Sequence, residues 1–76
     1  MPKIFSGRKV VKVLFKDFGF CFVSQKGSHM KLEKKVEGKT IITIVPLHKE
    51  LAFGTFKGVL ELAKIDEKEF LSKAKK

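Results

Sequence analysis

The hydrophobic period of this chain changes twice, and that double switch restricts its fold more than any other feature. Between Ser6 and Phe18 the apolar residues Val10, Val11, Leu14 and Phe18 recur at helical spacing, with Lys9, Lys12 and Lys16 on the other side. Ser6 is a favoured N-cap residue, and Gly19 supplies the left-handed position that ends such a helix. From Phe20 the text becomes short, aromatic and β-branched, Phe20-Cys21-Phe22-Val23-Ser24-Gln25, which reads as a strand. Lys26-Gly27-Ser28 is turn chemistry. His29 to Val36 then alternates, with Met30, Leu32 and Val36 on one face and His29, Lys31, Glu33 and Lys35 on the other. Lys34 interrupts the apolar face and is expected near a sheet edge, where its stem reaches water. Glu37-Gly38-Lys39 closes a hairpin into Thr40–Val45, the strongest strand pattern in the chain, and Pro46 stops it.

Helical spacing returns after a connecting loop from Leu47 to Gly54. Thr55 is the expected cap of a second helix whose buried stripe is Phe56, Val59, Leu60 and Ala63. Gly58 inside that helix costs about 1 kcal/mol relative to Ala, which points to a tight helix–sheet contact there. Asp66 followed by Glu69 is a capping-box pattern opening a short last helix through Phe70 and Leu71. The expectation is an α+β fold of order α-β-β-β-α with a terminal helical turn or two. Its three-stranded antiparallel sheet carries the helices on one face. The other face then meets water, and the pleat turns His29 onto it, straight after a glycine-containing turn.

Size and composition bound the function. Seventy-six residues, 43% of them apolar, read as one domain over 1–76 with a single small core. That leaves little room for an enclosed substrate pocket, so multi-step cofactor chemistry on a barrel or dinucleotide fold is excluded. No apolar run approaches the roughly 20 residues of a membrane helix, and no signal segment opens the chain. A cytoplasmic protein with no membrane partner is expected. Cys21 is the single cysteine, which rules out an internal disulfide and a cysteine-rich zinc module. Flanked by Phe20 and Phe22, it reads as a small buried hydrophobe. Sixteen lysines and Arg8 against eight carboxylates leave a net charge of +9, spread over the whole chain. Such a balance suits phosphates, an anionic membrane or an acidic protein, although it also suits a merely well-solvated surface.

The chemistry narrows to histidine. His29, His48 and Cys21 are spaced eight and nineteen residues apart, matching no zinc-ligand pattern. Ser28 and His29 are neighbours, but adjacent side chains of an extended chain point apart and make a poor nucleophile–base pair. No phosphate-cradling glycine loop with its lysine occurs. What remains is His29 among lysines, and an imidazole ordinarily exchanges its proton close to neutral pH. RNA brings its own nucleophile, the 2′-hydroxyl. A protein can therefore cleave it with a proton-transfer group and cations around the charge developing on phosphorus. Composition alone favours a solvated, non-catalytic His29 over a catalytic one.

The strings decide between them. Ser6-Gly7-Arg8-Lys9-Val10-Val11-Lys12-Val13-Leu14, then Phe18-Gly19-Phe20 and Gln25-Lys26-Gly27-Ser28-His29, resemble the HicA (YcfA-like) family of mRNA interferase toxins. The resemblance continues through Val45-Pro46-Leu47-His48-Lys49-Glu50-Leu51 and Gly54-Thr55-Phe56-Lys57-Gly58-Val59-Leu60, covering nearly the whole chain in order. The Gly-Ser-His turn is its most specific part. Gly58 in place of a small polar residue and the lysine-rich stretch Met30 to Lys35 depart from the usual pattern without removing the motif.

The resemblance implies a double-stranded-RNA-binding-like fold and a toxin that cleaves mRNA without the ribosome. It also implies neutralisation by a HicB-type antitoxin protein. The histidine of the Gly-Ser-His motif is the family's catalytic residue, which here is His29, and no metal or cofactor is implied. Lys26, Ser28, Lys31, Lys35, His48 and Lys57 are the expected RNA contacts. A lone imidazole cannot serve as acid and base at once, so a two-imidazole site would require His48 to fold close to His29. The rival readings are a non-catalytic RNA-binding module of the same fold and a basic surface that docks an acidic protein.

Overall fold

The computed structural model describes residues 4–74; Lys3, Lys75 and Lys76, which belong to the charge balance, lie outside them. Helix α1 spans Gly7–Asp17, and its N-cap is Ser6, whose hydroxyl accepts the Lys9 N–H at 3.0 Å. Phe18 is the C-cap and Gly19 follows at φ 75°, the left-handed stop that the sequence announces. Three strands follow, β1 (Cys21–Lys26), β2 (His29–Val36) and β3 (Lys39–Pro46), then α2 (Phe53–Ala63) and α3 (Glu67–Ala74). The sheet is antiparallel in the order β1-β2-β3, an α+β arrangement as expected.

Helices α1 and α2 pack on β3, and α3 packs on α1. Val10, Leu14, Leu32, Val45, Leu51, Val59 and Leu60 fill the space between the layers. The centre of the core is aromatic. Phe70, fully buried, meets Phe5 and Phe56 edge-on at 5.6 and 5.4 Å and lies parallel to Phe18 at 6.2 Å. Phe5 stacks on Phe56 at 5.3 Å. The short last helix thus supplies the ring that α1, α2 and the segment before α1 all touch. Thr43, buried on β3, donates its hydroxyl proton to the Val59 carbonyl at 2.9 Å and ties α2 to the sheet.

The structure corrects the sequence reading at several points. Helix α2 begins at Phe53, so Phe53 is helical and Thr55 lies in the first turn; the N-cap is Ala52, which offers no side-chain cap. A Cβ on Gly58 would meet nothing within 4 Å, so no tight packing demands that glycine. Lys34 is on the central strand, not an edge, and its ammonium sits 5.9 Å from the Phe20 ring centroid. Val36 lies at the tip of the second hairpin, beyond the cover of the helices. Cys21 is exposed. Its register with Glu33 and Ile42 turns it to the face opposite the helices, and Phe22, on the helical side of the same edge strand, is also left 55% exposed.

Candidate functional site

The pleat and the register build the uncovered sheet face row by row. Cys21, Glu33 and Ile42 form one cross-strand row; Ser24, Lys31 and Ile44 form the next; Lys26, His29 and Pro46 form the last. A bulge at Val23 between Phe22 and Ser24 preserves this alignment. Ile42 and Ile44 are 40% and 44% exposed, which identifies this as the open side. Sequence reasoning missed that the strongest strand alternates two isoleucines onto it. The signal was present in Ile42 and Ile44, whose parity with the buried Thr43 and Val45 places them opposite the core.

His29 opens β2, immediately after the two-residue turn Gly27-Ser28. Gly27 takes φ 60° while Ser28 does not take a positive φ, the pattern of a type II′ hairpin that needs glycine first. Lys26 stands directly across from His29 on β1. Lys31 is two residues along β2, about 7 Å by strand rise, on the same face.

The chain returns to this end of the sheet after β3. Leu47 donates its N–H to the Ser28 carbonyl at 2.6 Å, and the His48 carbonyl accepts the Gly7 N–H at 2.9 Å. Gly7 is forced by this approach: a Cβ there would run into the Pro46 carbonyl oxygen and come within 2.8 Å of Leu47 Cα. Leu51 adds a bond to the Phe5 carbonyl at 2.9 Å. These tethers fix the His48 backbone against both the first turn and the start of α1. The His29 and His48 rings consequently lie 6.4 Å apart, centre to centre, inclined at 71°. Both residues are exposed, and neither imidazole takes part in a hydrogen bond among the described residues.

Of the RNA contacts expected from sequence, the structure gathers Lys26, Ser28, Lys31 and His48 around His29. It separates the other two. Lys35 is six residues along β2 from His29, about 20 Å by strand rise. Lys57 belongs to α2, where its ammonium stands 3.7 Å from a Glu67 carboxylate oxygen and 5.6 Å from the Phe53 ring centre. Among the described residues no three histidine, cysteine or acidic side chains converge on a metal-binding position, and no helix is long and apolar enough to cross a membrane.

The arrangement is an open, cation-rimmed pair of imidazoles rather than an enclosed pocket. It can exchange protons with a polymer lying across the sheet end, and its lysines can hold that polymer's phosphates. A family model described as HicA toxin of bacterial toxin–antitoxin systems matches residues 7–65, which include both hairpins, both histidines and α2. A comparison with curated proteins returns no match.

Proposed function

Since the chain belongs to the HicA toxin family of bacterial toxin–antitoxin systems, we propose that it arrests growth by cleaving mRNA without the ribosome, with His29 as the catalytic residue. The observation that supports this most directly is the placing of His29: exposed at the mouth of β2, opposite Lys26, on the face no helix covers. A substrate too large for any cavity of a domain this size can reach it there.

Lys26 and Lys31 hold the phosphates beside the scissile bond, with Ser28 at the turn contacting the same stretch of RNA. Lys35 grips a phosphate farther along the strand. Lys57 contributes only after leaving Glu67, at little cost, because a half-exposed ion pair is worth less than about 1 kcal/mol. The reaction needs no cofactor. The 2′-oxygen attacks phosphorus as its proton leaves, the bond to the 5′-oxygen breaks, and the products are a 2′,3′-cyclic phosphate and a 5′-hydroxyl. The partner in the cell is a HicB-type antitoxin, which neutralises the toxin by covering this sheet end.

Single-stranded RNA incubated in EDTA with wild type and with His29→Ala tests the reading. A positioned proton-transfer group contributes about 10² to 10⁴ in rate, so the variant should lose cleavage by that factor while melting like wild type. Equal cleavage by the two proteins removes His29 from the mechanism. Loss of wild-type activity in EDTA points instead to a metal.

A further inference from the structure

We propose that His48 is a second catalytic residue, and that two imidazoles divide the acid and base roles in RNA cleavage. The inference rests on the nuclease reading above and goes beyond the single histidine it names.

The chemistry asks for two groups. In one step a proton leaves the 2′-hydroxyl on one side of phosphorus, and another must reach the 5′-oxygen on the opposite side. A single ring that has just accepted the first proton is poorly placed to deliver the second in the same event. Each group must come within hydrogen-bond reach of its own oxygen, about 2.6–3.2 Å. With centres 6.4 Å apart and both residues exposed, the two rings are close enough to serve the two oxygens of one phosphodiester.

Backbone hydrogen bonds bring the two residues together. His48 sits two residues beyond the end of β3, and Leu47 N–H is bonded to the turn that carries His29. Its own carbonyl is held by Gly7 at the start of α1. Neither ring is consumed structurally, since both are exposed and hydrogen-bond nothing among the described residues. The charged residues adjoining the pair by strand register or chain position are Lys26, across from His29, Lys31, two residues along β2 on the same face, Lys49 and Glu50, which follow His48, and Arg8, next to the Gly7 bonded to His48. Electrons and atoms balance within the substrate and these two rings. The base gains the 2′ proton, the acid loses one to the 5′-oxygen, and solvent exchange restores both.

The decisive comparison sets His48→Asn against wild type on the same RNA, recording the pH dependence of single-turnover cleavage. Affinity for an uncleavable 2′-deoxy version of the strand and thermal melting are measured beside it. The expected result is a fall of at least about 10²-fold, with affinity and melting retained and one limb of a bell-shaped pH profile lost. A substrate with sulfur in place of the 5′-oxygen needs no protonation of its leaving group. It should rescue one of His29→Ala and His48→Asn, whichever lacks the acid, and not the other. A His48→Asn protein that cleaves at the wild-type rate overturns the proposal. So does one that is slowed with both pH limbs intact and no rescue by sulfur. If the asparagine variant melts early, His48→Gln is read in the same way. Silence of wild type on RNA would instead sink the nuclease reading beneath it.

Discussion

The sheet has two hairpin turns of equal length at opposite ends, and they live under opposite constraints. Gly27-Ser28 joins β1 to β2; Glu37-Gly38 joins β2 to β3. The first is held from outside the hairpin, because the Ser28 carbonyl takes a hydrogen bond from Leu47 and the next residue, His48, is bonded to the first residue of α1. Among the described residues the second has no such partner, and a Cβ on Gly38 would meet nothing within 4 Å. Its conformation is set locally, by Glu37 at φ 49° and Gly38 at φ 79°, a type I′ turn. The domain has spent its long-range backbone bonds on the histidine end and left the other end to fend for itself. Those bonds lie where two histidines from distant parts of the sequence come within 6.4 Å, ring to ring.

That contrast breaks most sharply at Gly7. Substitution by Ala places a methyl group against the Pro46 carbonyl and Leu47 Cα, atoms of backbone that cannot swing aside. Overpacking of this kind costs about 1–3 kcal/mol, or several degrees in melting temperature for a domain this small. Cleavage should fall further than stability accounts for, since the shift passes directly to the segment between Pro46 and His48. A Gly7→Ala protein that melts and cleaves like wild type would show that the histidine end is not under tension from α1.

Gly58 is the control of opposite sign. It too is helical, but space around it is open, and replacing it with Ala removes the helix penalty of glycine. A gain of about 1 kcal/mol is expected, with cleavage unchanged. A loss would reveal a contact of Gly58 that the isolated domain does not show.

The same contrast explains what could be read from the sequence. Local rules placed Ser6 and Gly19 at the ends of α1, assigned both hairpins and the three strands, and put His29 on the open face. Each of those features depends on residues within a few positions of one another. The errors fall where a distant element decides. Cys21 reads as buried among its aromatic neighbours, yet its pairing with Glu33 and Ile42 puts it on the sheet face away from the helices, and nothing near position 21 encodes which face the helices take. The helix start at Phe53 is set by the Ala52 carbonyl accepting from Phe56 and by Phe56 packing on Phe5, not by a capping side chain. The approach of His48 to His29 is of this second kind. Nineteen residues separate them, and backbone bonds to Ser28 and Gly7 bring them together. The two ring positions were legible as residues; their meeting was not.

At the free end, Glu37 pays a local strain for its positive φ. Asparagine tolerates that region better and is the preferred first residue of a type I′ turn. Glu37→Asn should therefore stabilise by about 0.5–1 kcal/mol, seen as a rise in melting temperature, and should leave cleavage untouched. If activity changes as well, the two ends are coupled through β2 and the independence argued above fails.

Lysines offer the finest test, because Lys26 and Lys35 belong to the same protein face but to different ends of it. Lys26 is paired across from His29, whereas Lys35 sits by the free hairpin, opposite Thr40. Each phosphate neutralised on a single strand contributes about 0.7 to the log–log slope of affinity against salt. With a short uncleavable RNA that spans only the histidine end, Lys26→Ala should flatten the slope by about 0.7, and Lys35→Ala should not alter it. Lengthening the RNA should bring Lys35 into play and steepen the wild-type slope by a similar step. Equal effects of both lysines on the short strand would mean that RNA runs along β2 from the outset, and the binding surface would then extend to the end of the sheet that the fold leaves untethered.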